Sequence, residues 1–369
     1  MNMGKLAVYR YFSLMFLVIT VVVMVFTFVG LFGGRVNPVG NTAMAMMVYI
    51  LPILILLNVL LLIYWLIRRR WKWIALPILP IVCCIPYMGT LLQLRTLPSD
   101  ADADAMKGLK VATYNVQVFG HETTGFKAED ILAEMKRQKV DVFCVQEYAE
   151  MSGDKKNSEN YKTYFPYMAQ GKNDMMIFSR YPIKKSQTIQ FSDPEDDSSW
   201  VTNQSAMWAT IDVNGKKIRV INVHLETTGF NRTMHQAGKI MAAGHHVEDN
   251  KIVKAIYGNY TLGMIVRAGQ ARVVANEIAT SPEPCIVCGD FNDVPYSYTY
   301  HTMLGNLVDG FKECGSGFMY TFREPKKPVR IDYIFHDESM EGITYYTKKN
   351  ISYSDHLPVF MKIALEKEE

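Results

Sequence analysis

The first 98 residues contain no aspartate or glutamate. Their only charges are Lys5, Arg10, Arg35, Arg68, Arg69, Arg70, Lys72 and Arg95. Between these lie three charge-free stretches: Tyr11 to Phe32, Asn41 to Ile67 and Trp73 to Leu94. A helix needs roughly 20 apolar residues to cross a hydrocarbon core of about 30 Å. Each stretch meets that length, so the region reads as an all-α membrane anchor, residues 1–98, with helices near 11–32, 43–67 and 73–94. The first run is longer than a signal-peptide core, and no small-x-small cleavage site follows closely, which favours a retained helix. The third contains Pro77, Pro80 and Pro86. Proline is tolerated inside a membrane when neighbours satisfy the freed carbonyls, and a re-entrant or broken helix is the rival reading.

The distribution of positive charge sets the expected orientation. Lys5 and Arg10 flank the first run, and the Arg68–Lys72 cluster separates the second from the third. The positive-inside rule puts both on the cytoplasmic side. Three crossings then place everything after Arg95 on the extracytoplasmic side; if the third segment does not cross, the remainder is cytoplasmic. Residues 99–108, Ser-Asp-Ala-Asp-Ala-Asp-Ala-Met-Lys-Gly, read as a linker before a domain at 109–369.

That domain differs in charge from the anchor. The chain carries +3, and its first 98 residues carry eight basic groups, so the rest sums to −5. An acidic domain argues against gripping long duplex DNA by counterion release. Six cysteines do not form a disulfide framework. Cys83 and Cys84 sit in an apolar run, and Cys144, Cys285 and Cys288 fall in expected core strands. Cys285-x-x-Cys288 has no second pair at zinc spacing.

From Leu109 onward, short apolar runs repeatedly end in a polar residue. Leu109–Val116 alternates as a strand and delivers Asn115. A helix is expected over Phe126–Gln138, then a strand over Val140–Val145 ending in Gln146-Glu147. Met175–Phe178 is closed by Ser179-Arg180-Tyr181-Pro182. Ser205–Val213 and Lys217–His224 flank Asn214-Gly215, a strong hairpin signal. Asn231–Thr280 reads as mainly helical, broken near Gly258-Asn259-Tyr260. Pro284–Asp293 then runs from a buried strand through Gly289 to Asp290 and Asn292. If the strand exit stays extended, side chains two apart face the same way. Asp290 and Asn292 would then share one cleft, an anionic base beside a neutral donor, suited to attack on phosphate. Asp332 opens another β-rich run, and Asp355-His356 precedes a last strand at Leu357–Met361. Eight polar residues at strand mouths point to one shared site.

Thr113-Tyr114-Asn115-Val116, Gln146-Glu147, Ser179-Arg180-Tyr181-Pro182, Asn222-Val223-His224-Leu225, Gly289-Asp290-Phe291-Asn292, Arg330-Ile331-Asp332-Tyr333 and Ser354-Asp355-His356 occur in the order of the endonuclease/exonuclease/phosphatase superfamily, which the sequence resembles over Leu109 to about Ala364. The superfamily includes exonuclease-III-like nucleases, sphingomyelinases and inositol-polyphosphate 5-phosphatases. The resemblance implies a four-layer α/β/β/α sandwich. It implies that Glu147 binds Mg²⁺, with Mn²⁺ as the alternative, and that Asn115 and Asp355 lie beside it. It implies that Asp290 activates water, that Asn292 and His224 contact the scissile phosphate, and that His356, oriented by Asp332, stabilises the transition state. Arg180, Asn173 and Arg267 are taken as substrate-binding residues. The expected activity is metal-dependent hydrolysis of a phosphate ester by an activated water. Partners would be the bilayer and a phosphate-ester substrate, either a lipid head group or nucleic acid, with no obligate protein partner evident. An extracytoplasmic DNA or RNA nuclease and an inactive membrane-bound binding module are the competing readings.

Overall fold

The computed structural model describes residues 3–117, 128–148, 161–172, 174–191, 204–228, 249–323 and 328–367. The chain forms two compact units. One comprises Met1–Thr90 with Tyr296–His301, the other Leu91–Pro295 with Thr302–Glu369.

The first unit is helical. Its long helix Met3–Gly33 is followed by Thr42–Met46 and a 3-10 turn, which run into Leu51–Ile67. Tyr9–Gly33 and Thr42–Ile67 are long and apolar enough to cross a membrane. Leu14, Val18, Ile53, Leu56 and Leu60 are exposed on their surfaces, while the polar groups turn inward. Asn58 donates to Thr27 Oγ1 at 2.7 Å, and Trp65 Nε1 to Thr20 Oγ1 at 2.9 Å. An apolar exterior around interhelical hydrogen bonds is the arrangement lipid imposes on helices. The third expected span, 73–94, is divided. A 13-residue helix, Trp71–Cys83, gives way at Cys84 to the four-residue helix Ile85–Met88. Thirteen residues rise only about 20 Å, so this helix alone does not span.

The second unit begins with β1 (Leu92–Gln93) and the helix Asp100–Ala105, so the segment expected as a linker is partly ordered. Ser99 caps that helix by accepting from the Asp102 amide, and acids in a first turn favour its positive end. The strands follow as β2 (Leu109–Asn115), β3 (Val142–Gln146), β4 (Tyr167–Gln170), β5 (Met176–Ser179), β6 (Ile183–Ile189), β7 (Ala206–Val213), β8 (Lys216–His224), β9 (Cys285–Asp290), β10 (Val308–Asp309), β11 (Gly317–Phe318), β12 (Asp332–His336), β13 (Glu341–Thr347) and β14 (Val359–Ala364).

Two six-stranded sheets result, ordered β13-β14-β2-β3-β5-β4 and β10-β12-β9-β8-β7-β6. Their inner faces meet in one apolar core containing Val111, Cys144, Ile177, Met361, Ala209, Val220, Ile286 and Ile334. The outer face of the first sheet, including Phe143, Phe178 and Phe360, packs on Ile131, Leu132 and Met135 of the helix Ala128–Arg137. Val223, Val287, Tyr333 and Phe335 are fully buried on the second sheet, as are Ala271 and Val274 of the helix Asp249–Ala279. This is the α/β/β/α architecture. Helix Asp249–Ala279 runs unbroken through Gly258, correcting the expected break. Gly258 has open space around it, and one exposed glycine weakens a helix by only about 1 kcal/mol. The rest of the expected helix, 231–248, and Phe126 lie outside the described residues. The hairpin at Asn214-Gly215 has φ of 54° and 95°, the left-handed pair that its sequence favours. All six cysteines are free, and all but Cys83 are buried.

Candidate active site

Each sheet places one parallel strand pair at its centre, and both pairs end at the same site. In the first sheet Asn115 of β2 stands opposite Gln146 of β3; in the second His224 of β8 stands opposite Asp290 of β9. Antiparallel β12 starts where β9 ends, pairing Asp332 with Asp290. Antiparallel β14 starts at Val359 opposite Thr113, so His356 lies just beyond the sheet at that same end. Gly289 allows the close approach of β8 and β9: a Cβ there would lie 1.9 Å from the Val223 carbonyl.

Asp290 is the centre of the cluster and only 1% exposed. Its Oδ2 accepts from Asn115 Nδ2 at 3.2 Å and lies 3.7 Å from His356 Nε2 and 4.0 Å from His224 Nε2. Each imidazole is tied behind by its own carboxylate. His356 Nδ1 lies 2.9 Å from Asp332 Oδ2, and His224 Nδ1 lies 2.7 Å from Asp174 Oδ2. Burial is the largest influence on both rings and lowers their basicity, but the carboxylates prevail. His224 is raised to about 9, first by Asp174, and His356 to about 10, first by Asp332 and Asp290. For Asp290, burial and then Asp332 push the carboxyl up to about 6 against the pull of the two imidazoles. Near neutral pH the cluster is therefore a carboxylate between two imidazolium N–H groups. His224 Nε2 is buried and makes no hydrogen bond. It is aimed at Asp290 and at Glu147 Oε1, each at 4.0 Å.

Asn115 Nδ2 also donates to Glu147 Oε1 at 3.0 Å, bridging two carboxylates. Glu147 has φ of 55° and Asn292 of 51°, so the chain turns sharply at both strand exits. At Asn292 this overturns the extended exit expected from sequence. Its amide N–H donates to Asp290 Oδ1 at 2.8 Å, as in an Asx turn. Its side-chain Nδ2 donates to the Leu225 carbonyl at 2.8 Å. Asn292 thus braces Asp290 and the end of β8. Asp355 adjoins His356 and helps raise its basicity; its carboxylate accepts from Ser354 Oγ at 3.2 Å.

Two expected substrate residues are elsewhere. Arg180 follows β5, which runs antiparallel to β3, so it emerges at the opposite end of the sheet and pairs with Asp141 at 3.3 Å. Arg267 is fully buried in its helix, 3.5 Å from Asp293 and donating to the Glu226 carbonyl at 2.9 Å. These contacts tie it to the loops after β8 and β9. Asn173 lies outside the described residues.

Several residues around the cluster escaped the sequence reading. Asp174 is the main one. Thr321 Oγ1 accepts from the amides of Ile331 and Asp332, both at 3.0 Å, and fixes the start of β12. Phe322 meets the His356 ring edge-on, with centroids 5.0 Å apart. Beneath the site, Asn222 Nδ2 crosses between sheets to the carbonyls of Val145 and Met176, while Gln146 Nε2 donates to Asn222 Oδ1 and Thr113 Oγ1. Neutral donors and acceptors buried together in this way fix the register of one sheet on the other.

The donor set fits a hard divalent cation. Glu147 is partly exposed, and Asn115 Nδ2 stands between Glu147 and Asp290, where a positive dipole relieves carboxylate repulsion. Ligand atoms of Asp290, Asp332 and His356 also lie within 4.8 Å of one another. Oxygen donors with one or two carboxylates suit Mg²⁺ or Mn²⁺.

The profile of the endonuclease/exonuclease/phosphatase family matches residues 112–356. The chain belongs to this family. Its members are hydrolases of phosphoester bonds and are generally divalent-metal dependent. A second profile, a domain of unknown function (DUF8431), matches residues 13–91. Sphingomyelinase C 2 of Leptospira interrogans is 22% identical over 218 residues, which is 50% of this chain and 30% of that protein. An endonuclease/exonuclease/phosphatase structure from Bacteroides vulgatus is 18% identical, covering 71% of this chain and 100% of that one, with a TM-score of 0.50. Another, from Beutenbergia cavernae, is 16% identical over 71% and 72%, also at 0.50. At these identities the two structures establish the shared fold.

Proposed function

We propose that this protein is a membrane-anchored, divalent-metal-dependent phosphoesterase that hydrolyses a phosphate ester by attack of an activated water. The observation that carries this reading is Asp290 held between two carboxylate-backed imidazoles, with His224 Nε2 buried and unpartnered. A buried N–H donor without an acceptor loses free energy unless a ligand supplies one. An anionic phosphoryl oxygen is a matching acceptor.

Asp290, ionised above about pH 6, takes a proton from the attacking water. Asn115 and Asn292 keep its carboxylate aimed, through Oδ2 and Oδ1 respectively. The imidazolium Nε2–H groups of His224 and His356 donate to the phosphoryl oxygens as negative charge develops. Asp174 and Asp332 accept from the Nδ1–H of His224 and His356 respectively, and so orient each Nε2–H toward the site. Glu147 and Asn115 would hold Mg²⁺ or Mn²⁺, with Asp355 the further expected ligand, and the metal would supply charge stabilisation at a phosphoryl oxygen.

A membrane-borne phosphodiester such as a sphingomyelin-type lipid is the favoured substrate. The apolar helices would keep the site near lipid, the domain is acidic overall, and one relative bears the name sphingomyelinase. The catalytic unit is assigned to the extracytoplasmic side, with Trp71–Met88 completing a third crossing. An inactive binding module is disfavoured because Glu147, Asp290, His224 and His356 are all present and converge. The test is a substrate panel given to the full-length protein in nanodiscs: a choline phospholipid, supercoiled plasmid and a nitrophenyl phosphomonoester, each with Mg²⁺ and with chelator. Metal-dependent release from the lipid supports the reading. Cleavage of plasmid alone would replace it with the nuclease reading, and no turnover of any substrate would favour the binding module.

A further inference from the structure

At the end of the first sheet opposite the catalytic cluster lies a cavity of about 410 Å³. β2 runs from this cavity to the active site: Lys110 lines the cavity, and Asn115, five residues on and about 17 Å away, enters the catalytic cluster. Its wall is formed by Lys110, Arg137, Lys139, Lys348 and Lys362; Asp104, the sole carboxylate among the lining residues, pairs with Lys139 at 2.5 Å, and Arg137 pairs with Glu134. This concentration of positive charge belongs to a region that sums to −5. Neutral surface is present too. The Tyr346 ring stands 5.6 Å from Lys110 Nζ and 5.9 Å from Lys348 Nζ, and Leu97 and Pro98 close one edge.

The geometry points to this cavity as a binding site for a phosphate-bearing anion, separate from the catalytic centre. The observation beyond charge is Lys362. It is only 8% exposed, and its ammonium donates to the carbonyls of Ala103 at 2.7 Å and Asp104 at 3.4 Å. An ammonium has three donors; these bonds take two of them, and the side chain lines the cavity. Burial, together with Lys110 and Lys139 nearby, depresses its basicity against Asp104 and Asp141. Clustered ammonium groups of this kind are relieved by a multiply charged anion more than by a monovalent one. Lysine, a compact point charge, suits phosphate without demanding a planar partner. The volume suits one head group, and a nucleic acid strand would need an open groove. Two sources supply this chemistry: an acidic phospholipid head group and a free phosphate ester. Leu97 and Pro98 at the cavity edge directly follow the apolar region in sequence.

The test is amine acylation of the full-length protein in nanodiscs, read by mass spectrometry at Lys139 and Lys348. Neither belongs to the catalytic cluster, so occupancy of the active site leaves them unchanged. Exposed Lys254 is the internal reference. Three conditions are compared at equal ionic strength: neutral phosphatidylcholine discs, the same discs with glycerol phosphate, and discs containing phosphatidylserine. Ligand at ten times its Kd slows acylation of Lys139 and Lys348 about tenfold relative to Lys254. Protection by glycerol phosphate identifies a soluble phosphate ester, and protection in phosphatidylserine discs alone identifies the lipid. Either outcome supports the site, provided that Lys348→Glu abolishes protection of Lys139 while hydrolysis at the catalytic centre persists. Equal acylation in all three conditions, or slowing shared by Lys254, overturns it.

Discussion

Replacing Asp174 with asparagine tests the protonation of His224 directly. Asp174 sits behind the ring, 2.7 Å from Nδ1, and is the first of the influences that raise His224 to about 9. The strongest opposing influence is burial. Without the carboxylate, His224 returns to its ordinary value of about 6.5 or below. At about pH 8 the native ring is then roughly nine-tenths protonated and the variant ring about 3%, a loss of about thirtyfold in the donor-competent form. At about pH 6 both are mostly protonated, and the deficit shrinks to less than about twofold. The measurement is kcat against pH for native protein and Asp174→Asn with the same substrate and metal. A deficit that widens with pH to about thirtyfold supports an imidazolium donor. A deficit that is constant across this range would refute it and leave Asp174 a purely packing role.

Three further expectations follow from other parts of the molecule. Asp332→Asn should lower kcat by about 10²–10⁴-fold with little change in KM, because His356 loses the group that orients Nδ1; steady-state kinetics checks this. In metal-free protein, His356 raised to about 10 contributes stability that is complete below about pH 6.5 and is lost as pH climbs through 10, so calorimetric melting should fall over that window and His356→Asn should flatten it. Arg330→Ala should destabilise the fold by about 3–5 kcal/mol, since it strips the buried Asp309 carboxylate of two hydrogen bonds at 2.6 and 2.9 Å; thermal denaturation of the full chain reads this.

The strand-end residues were legible because an apolar run that stops at a polar residue marks its own exit. Asn115, Glu147, His224 and Asp290 end such runs, and the parallel pairs β2–β3 and β8–β9 carry their strand ends to one side; Asp332 instead opens its strand and meets Asp290 by antiparallel pairing. Arg180 obeyed the same local rule and fell at the wrong end. A run of residues reveals where a strand stops but not which way it runs, and β5 is antiparallel to β3. Asp174 was missed because it precedes its strand; only the β8 register brings His224 to it. The Asn222–Gln146–Thr113 network and the Arg330–Asp309 pair are contacts between distant segments, so no local pattern announces them. At Asn292 an extended exit was expected from the strand before it. Its left-handed conformation, with hydrogen bonds to Asp290 and Leu225, decides for an Asx turn instead. In the apolar N-terminal region three spans were expected, with a broken third helix as the rival reading from its prolines, and the third is divided at Cys84.

The most direct test of the proposed chemistry is hydrolysis of a phosphodiester by the full-length protein in nanodiscs, comparing Mg²⁺ with chelator and native protein with Asp290→Asn. The expected result is turnover that requires the metal and falls by at least about 10³-fold when the carboxylate is lost, since proton abstraction by the central base and alignment of the water are removed together. Equal turnover with chelator, or in Asp290→Asn, would contradict metal-dependent hydrolysis centred on Asp290.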